Sequence, residues 1–241
     1  MGDDQATVDY FEYHVHDYSP GRLHSAVTFI AEHNTSDASL IDIGCGTGNV
    51  LAYIARTTGI SHLAGLDVSE PCVELTKKNV AADVYRASVL DDATIARFRG
   101  CFDFAVMAAV LHHLVGPTRR RSQRAANRAV SNALELVKPS GYLIIMEPTF
   151  TPAATVCALF WVKTVLSKIF HRRLPVGGYW NNIGAPVVSY YSSEQVQAML
   201  RTSLGAEIVQ VYDAPQRLSK LADLLVSKSN TTVIARRRTA D

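Results

Sequence analysis

The sequence predicts an α/β fold, a doubly wound and mostly parallel seven-stranded sheet whose last strand runs antiparallel. Three observations lead there. The run Leu40-Ile41-Asp42-Ile43-Gly44-Cys45-Gly46-Thr47-Gly48-Asn49 leads apolar residues into an acid, then places glycines at alternate positions, then opens a helical pattern. That is a strand entering a tight turn and a helix, the geometry that brings bare backbone close to a small ligand. The next apolar run, His62-Leu63-Ala64-Gly65-Leu66, ends on Asp67. A right-handed βαβ unit sets that acid beside the glycine turn, where it can accept hydrogen bonds from ribose hydroxyls. Finally, strand-like and helix-like periods alternate from Leu40 to Glu147, the pattern of a parallel sheet covered on both faces.

Each element follows from local pattern. Residues 6–33 form one or two helices rich in Tyr, Phe and His, so residues 1–36 make a helical lid before the core. In the core, residues 37–148, strands are expected at 40–43, 62–66, 84–87, 102–108 and 142–147, with helices at 49–57, 70–79 and 122–137. Pro139-Ser140-Gly141 stops the last helix. Residues 149–190 form an insertion after the fifth strand, a helix over 151–170 and a Gly/Pro/Asn-containing loop over 172–188. In residues 191–241, Ser192-Ser193-Glu194-Gln195 resembles a capping box that opens a helix to Leu204. The apolar, β-branched runs 206–212 and 231–236 suit an antiparallel closing pair, with a short helix over 218–226 between them.

Composition narrows the class. A chain of 241 residues, 48% hydrophobic and 19% charged, is expected to be one soluble globular domain. Cys45, Cys72, Cys101 and Cys157 are scattered without a C-x-x-C pair, which favours a reducing compartment, the cytoplasm, over a disulfide frame or zinc site. Asp3 and Asp4 near the start, with no apolar run after them, do not suit a signal peptide. The longest apolar segment, 153–170, carries Lys163 and Lys168 and is too short and too charged for stable membrane insertion. Arg119-Arg120-Arg121 and Arg236-Arg237-Arg238 are expected as solvated loop and tail charges. A net charge of +2 gives no nucleic-acid footprint.

Taken together, Asp42-x-Gly44-x-Gly46-x-Gly48, Asp67, Phe102-Asp103-Phe104-Ala105-Val106-Met107 and Leu136-Val137-Lys138-Pro139-Ser140-Gly141-Tyr142-Leu143 resemble the class I, Rossmann-like S-adenosylmethionine-dependent methyltransferases of small molecules. Tyr191-Ser192-Ser193-Glu194 and Leu204-Gly205-Ala206 match the family's usual tail. A nicotinamide site would need its third glycine at position 49, which is Asn49. The resemblance implies S-adenosylmethionine as cofactor. Carbonyls near Gly44 then take its ammonium, and Asp42 supports the loop through charge. Asp67 takes the ribose hydroxyls, Val68 packs on one adenine face and Ser88-Val89-Leu90 contact the other. Cys45, Gly46, Gly48, Asn49, Met107 and Ala108 complete the lining. Ser88 stands where many relatives carry an acid for the adenine amino group, leaving Asp91 as a substitute. In the lid, Tyr18 and Arg22 are placed to reach the cofactor carboxylate. Cys45 by itself suits a small apolar filler.

His112 and His113 follow the fourth strand, whose carboxyl end faces the ligand crevice. An imidazole there suits a general base at neutral pH, with a hydrogen-bonded structural role as the competing assignment, stronger for His113. No metal is expected, because adjacent residues on a turn rarely share an ion and no third ligand accompanies them. The apolar residues of the insertion, with Tyr179, Trp180, Tyr190 and Tyr191, suggest a small-molecule acceptor of apolar or aromatic character, methylated on oxygen by in-line transfer. The same helix would also serve as a contact in a homodimer. An N- or C-methyltransferase on a similar acceptor, and a non-catalytic partner subunit, remain open.

Overall fold

Strands apolar along both faces need cover on both sides, and that requirement organises the molecule. The computed structural model describes residues 20–155, 157, 158, 160, 161, 188–217 and 225–239. Seven strands form one sheet: β1 (Ser39–Ile43), β2 (His62–Asp67), β3 (Asp83–Arg86), β4 (Phe102–Ala108), β5 (Val137–Thr151), β6 (Ala206–Gln216) and β7 (Ser227–Arg237). Their order is β3-β2-β1-β4-β5-β7-β6. The pairs from β3 through β5 are parallel, and β7 runs antiparallel to both β5 and β6. Chain order reverses at β1, which has β2 on one side and β4 on the other. That reversal opens a crevice beyond the carboxyl ends of β1 and β4.

The helices are α1 (Pro20–His33), α2 (Asn49–Thr58), α3 (Glu70–Asn79), α4 (Asp92–Phe98), α5 (Arg119–Leu136) and α6 (Ser193–Thr202). Period-two alternation splits the core into two faces. Ile41, Ile43, Ala105, Met107, Leu143 and Ile145 join the buried residues of α5 and α6 in one cluster. Leu40, Phe104, Val106, Ile144 and Met146 pack with α1 and α2 in the other. No described helix is long and apolar enough to cross a membrane.

Differences from the expected elements have local causes. The expected strands and helices of the core are all present, and α4 is an addition, a short helix capped by Asp91. β5 runs on to Thr151, which pairs with Ser227 on β7, so the insertion's helical residues begin after Pro152 and not at Thr151. α5 starts at Arg119, three residues early, with the Thr118 hydroxyl accepting from the Arg121 N–H. The two arginine runs thus begin a helix and end a strand, and while Arg120, Arg121, Arg236 and Arg238 are exposed as expected, Arg119 and Arg237 are not. Arg119 reaches back into the protein to Ser189 and Tyr190, and Arg237, near the end of β7, donates to the carbonyls of Glu135 and Val137. The expected helical parts at 6–19 and 218–224, and most of the insertion, lie outside the described residues.

Candidate active site

The glycine turn is held in shape by its neighbours. Gly44, Gly46 and Gly48 all have positive φ, at 73°, 54° and 81°. The Gly44 and Cys45 N–H groups donate to the Leu66 carbonyl at 2.7 and 3.0 Å. The Thr76 hydroxyl donates to the Gly46 carbonyl at 2.8 Å, and the Asn79 amide to that of Thr47 at 2.9 Å, so α3 ties the turn down. A Cβ on Gly44 would come within 2.7 Å of Val110 Cγ2. Among the described residues a Cβ on Gly46 would meet no heavy atom within 4 Å, so Gly46 borders open space there.

Two acids lie under this turn. Asp67 accepts from the Gly46 N–H at 2.8 Å through Oδ2 and from the Ser69 N–H at 2.9 Å through Oδ1. Burial raises its pKa above the usual carboxylate range, and backbone N–H groups of Ser69, Gly46 and Val68 pull the other way. Each oxygen keeps a second lone pair for a further donor. Asp42 is 1% exposed, and neither of its carboxylate oxygens has a hydrogen-bond partner among the described residues. Burial, then the charge of Asp67, pushes its pKa up to about 7. A cation brought beside such a group would favour its carboxylate form.

Along β2 and the β3–α4 connection, Val68 is 54% exposed, unusual for an apolar residue beside a turn this ordered. The Ser88 hydroxyl accepts from the Leu90 N–H, and Val89 is buried with its carbonyl held by Asn132. Asp91 caps α4, accepting from both donors of Thr94 through one oxygen, and this holds its pKa low. Cys45 packs its thiol among Val73 and Val84, a filler whose pKa burial drives upward. Asn49 is half-buried at the start of α2, and Ala108 is buried at the end of β4. Met107, fully buried with the α5 face of the core, presents no surface to a crevice. Open room at Gly46, a buried Asp42 carboxyl without a partner among the described residues, spare lone pairs on Asp67 and an exposed Val68 are compatible with a cofactor that has an ammonium, a ribose and a flat base.

The second half of the site follows β4. Ala109 holds a φ of 60°, its N–H donating to the Met146 carbonyl at 2.7 Å, and the chain turns into a single 3₁₀ turn, Leu111–His113. A non-glycine residue in this conformation is strained and persists because its surroundings fix it. Glu147, within β5, receives that turn. Its Oε1 accepts from the Leu111 N–H at 2.6 Å, and its Oε2 lies 2.7 Å from His112 Nδ1. Both side chains are inside, 8% exposed for His112 and 1% for Glu147. Burial pushes the Glu147 pKa up to about 7, against the Leu111 N–H and the charges of His113 and Arg22. A proton on Nδ1, shared with Glu147, makes Nε2 the ring's accepting nitrogen.

The His112 ring lies 3.9 Å from that of His113 and stacks on Tyr190 at 5.1 Å and 20°. Tyr190 is half-buried, whereas Tyr191 is 1% exposed and packs within the core beneath Arg119. Arg22, on α1, is half-buried within electrostatic reach of Glu147. Tyr18, Tyr179 and Trp180 lie outside the described residues. Sequence reasoning missed Glu147 and Arg119. The signal for Glu147 was an acid closing an otherwise apolar strand next to Pro148. Among the described residues no three His, Cys, Asp or Glu side chains gather as a metal site.

A family model described as "Methyltransferase domain" matches residues 14–211. The chain is similar to the ribosomal protein L11 methyltransferase of Thermotoga neapolitana, 32% identical over 81 residues, covering 34% of this chain and 30% of that protein. It is also similar to the ribosomal RNA small subunit methyltransferase C of Shigella flexneri serotype 5b, 27% identical over 113 residues, covering 47% of this chain and 32% of that protein. The chain thus spans about a third of the length of these curated relatives. Among solved structures, the geranyl diphosphate C-methyltransferase of Streptomyces coelicolor, in complex with Mg2+, geranyl diphosphate and S-adenosyl-L-homocysteine, superposes with a TM-score of 0.64 at 13% identity, covering 98% of this chain and 99% of that one.

Proposed function

The chain belongs to the methyltransferase-domain family, and from that premise we propose that it transfers the methyl group of S-adenosylmethionine to an oxygen of a small apolar or aromatic acceptor. The observation that carries this is the buried His112–Glu147 pair, 2.7 Å apart, at the end of β4. It sits next to the glycine turn, because Val110 lies against Gly44 and begins the segment that carries His112.

S-adenosylmethionine, when bound, supplies an electrophilic methyl on a sulfonium sulfur. Asp67 accepts the ribose hydroxyls with its remaining lone pairs while its backbone donors hold the carboxylate still. Asp42 places negative charge beneath the turn that receives the ammonium, and Val68 covers the base. His112 takes the acceptor's proton at Nε2, and Glu147 stabilises the imidazolium through Nδ1, as a carboxylate does for an orienting histidine elsewhere. Proximity and alignment supply much of the acceleration. The four free cysteines suit the cytoplasm.

The curated relatives act on a ribosomal protein and on ribosomal RNA by name, so a macromolecular acceptor is the alternative to test. The net charge of +2, with Arg119 and Arg237 turned to internal carbonyls, favours the small molecule. The test is calorimetric titration with S-adenosylhomocysteine, followed by labelled-methyl transfer onto a metabolite extract, bulk RNA and ribosomal protein in parallel. Asp67→Ala is expected to weaken binding by at least about tenfold, since it removes charge-assisted hydrogen bonds. His112→Ala should bind normally and transfer slowly. No heat with S-adenosylhomocysteine would leave a non-catalytic relative, and label in RNA or protein alone would overturn the small-molecule assignment.

A further inference from the structure

The chain returns from its insertion at residues 188–191, and this short segment is bound on three sides. The Ser189 N–H donates to the His112 carbonyl at 2.8 Å, and the Phe150 N–H to the Tyr191 carbonyl at 3.0 Å. Tyr191 forms a parallel bridge with Thr149 on β5. The third side is Arg119, the first residue of α5, whose guanidinium donates one N–H to Ser189 Oγ and another to the Tyr190 carbonyl. The same group lies over the Tyr191 ring, 4.4 Å from its centroid. A planar fork with two fixed donors and a face that stacks makes all three contacts at once, which an ammonium cannot do.

What this segment carries is one wall of the His112 site. The Tyr190 ring stacks on His112 and leans on Phe150 at 4.6 Å. We infer that Arg119 is a positioning residue for methyl transfer: by clamping Ser189 and Tyr190 it holds the end of the insertion against His112 and fixes the imidazole between Tyr190 and Glu147. The inference rests on the assignment of His112 as proton acceptor. It explains why the helix begins with Arg119 against its own dipole, because that guanidinium is committed to a carbonyl and a hydroxyl across the site. Burial lowers the Arg119 pKa, in keeping with a guanidinium placed inside for its geometry. Among the described residues, the charged and titratable groups around the His112–Glu147 pair are His113 on the same turn, Arg22 on α1, Arg119 on α5, and Tyr190 and Tyr191 on the returning segment.

The test needs no knowledge of the acceptor. The His112 ring is followed by NMR, its ¹⁵N shifts giving the tautomer and its ¹³Cε1 shift the titration, in the wild type, Arg119→Lys, Arg119→Met and Ser189→Ala. S-adenosylhomocysteine affinity is measured beside it, with Arg120→Ala, an exposed neighbour, as control. Arg119→Met should move the His112 midpoint by about half a pH unit or more or lose the single tautomer. Arg119→Lys and Ser189→Ala should do so partially, and Arg120→Ala should do nothing. Cofactor-product affinity should stay within about threefold throughout, since the turn that holds it is a separate element. Should Arg119→Met not fold, the lysine and Ser189→Ala variants decide alone. A His112 titration superimposable on the wild type in the folded variants, or a loss of affinity matching the change at His112, would overturn the positioning role. A wild type that binds no S-adenosylhomocysteine while His112 still responds to Arg119 would instead count against the methyl-transfer assignment.

Discussion

At Gly44 and Gly46 the backbone needs the same left-handed conformation for different physical reasons, and substitution separates them. At Gly46 an alanine methyl would meet nothing among the described residues, so its cost to folding is the strain of positive φ, about 1–2 kcal/mol. The methyl would stand in the open space assigned to the cofactor. Gly46→Ala is therefore expected to lower S-adenosylhomocysteine affinity by at least about tenfold with a small loss in urea stability, because backbone can no longer approach the ligand. At Gly44 the same change adds a collision with Val110 Cγ2 to the strain, so stability should fall further than for Gly46→Ala. Isothermal titration and urea unfolding on both variants separate the two, and a Gly46→Ala protein that binds like wild type would move the cofactor elsewhere. Among single residues, Asp67 was legible in the sequence because its partner turn is close along the chain and the spacing is set by one βαβ unit. Glu147 was not, because its partners Leu111 and His112 lie 36 and 35 positions away and only the packing of β4 against β5 brings them together.

Elements were legible where a cap or a period marks them locally. The capping box at α6 is complete, with Ser192 Oγ accepting from the Gln195 N–H at 3.2 Å and the Gln195 side chain accepting from the Ser192 N–H at 3.0 Å. Ser192 is buried, so water cannot replace the lost partner. Ser192→Ala is expected to cost about 1–2 kcal/mol, a fall of about 2–6 °C in Tm, and Ser192→Thr to recover part of it in a thermal melt. A Ser192→Ala protein with unchanged Tm would show that packing of Val196, Met199 and Leu200 alone fixes the helix. The start of α5 was hidden for the opposite reason. Three arginines oppose the dipole, and the Thr118 cap with the buried face of Ser122, Ala126 and Ala129 overrides them. The added length of β5 and β7 was hidden as well, because polar residues such as Thr149, Ser229 and Asn230 extend the ladder through backbone pairing, a property without a hydrophobic period.

For the molecule as a whole, the mostly parallel sheet with an antiparallel closing strand was readable because alternation and handedness leave few ways to wind such a chain, whereas the charge state of its interior is set only by the assembled fold. Asp42 and Glu147 have ordinary values of 3.8 and 4.5 and are both raised to about 7 by burial. An acid raised on folding binds more protons in the native state between its two values, so native stability falls as pH rises through that window and levels off above it. Asp91, held low by the Thr94 donors, works in the opposite sense, as does Asp103, where burial pushes upward and the Lys138 and Ser39 donors together outweigh it. The ligand-free protein should therefore be more stable in urea at about pH 5 than at about pH 8, and Asp42→Asn should flatten that difference by removing one of the three raised acids, Asp42, Asp67 and Glu147. An incoming ammonium would reverse the balance at Asp42 by favouring its carboxylate, so binding S-adenosylhomocysteine near pH 7 should release about half a proton. Titration in phosphate and in Tris, whose ionisation enthalpies differ, reads that proton directly as a difference in observed heat. The difference should vanish in Asp42→Asn, and equal heats in the two buffers for the wild type would mean that the ammonium is neutralised by other groups and Asp42 stays protonated beneath the turn.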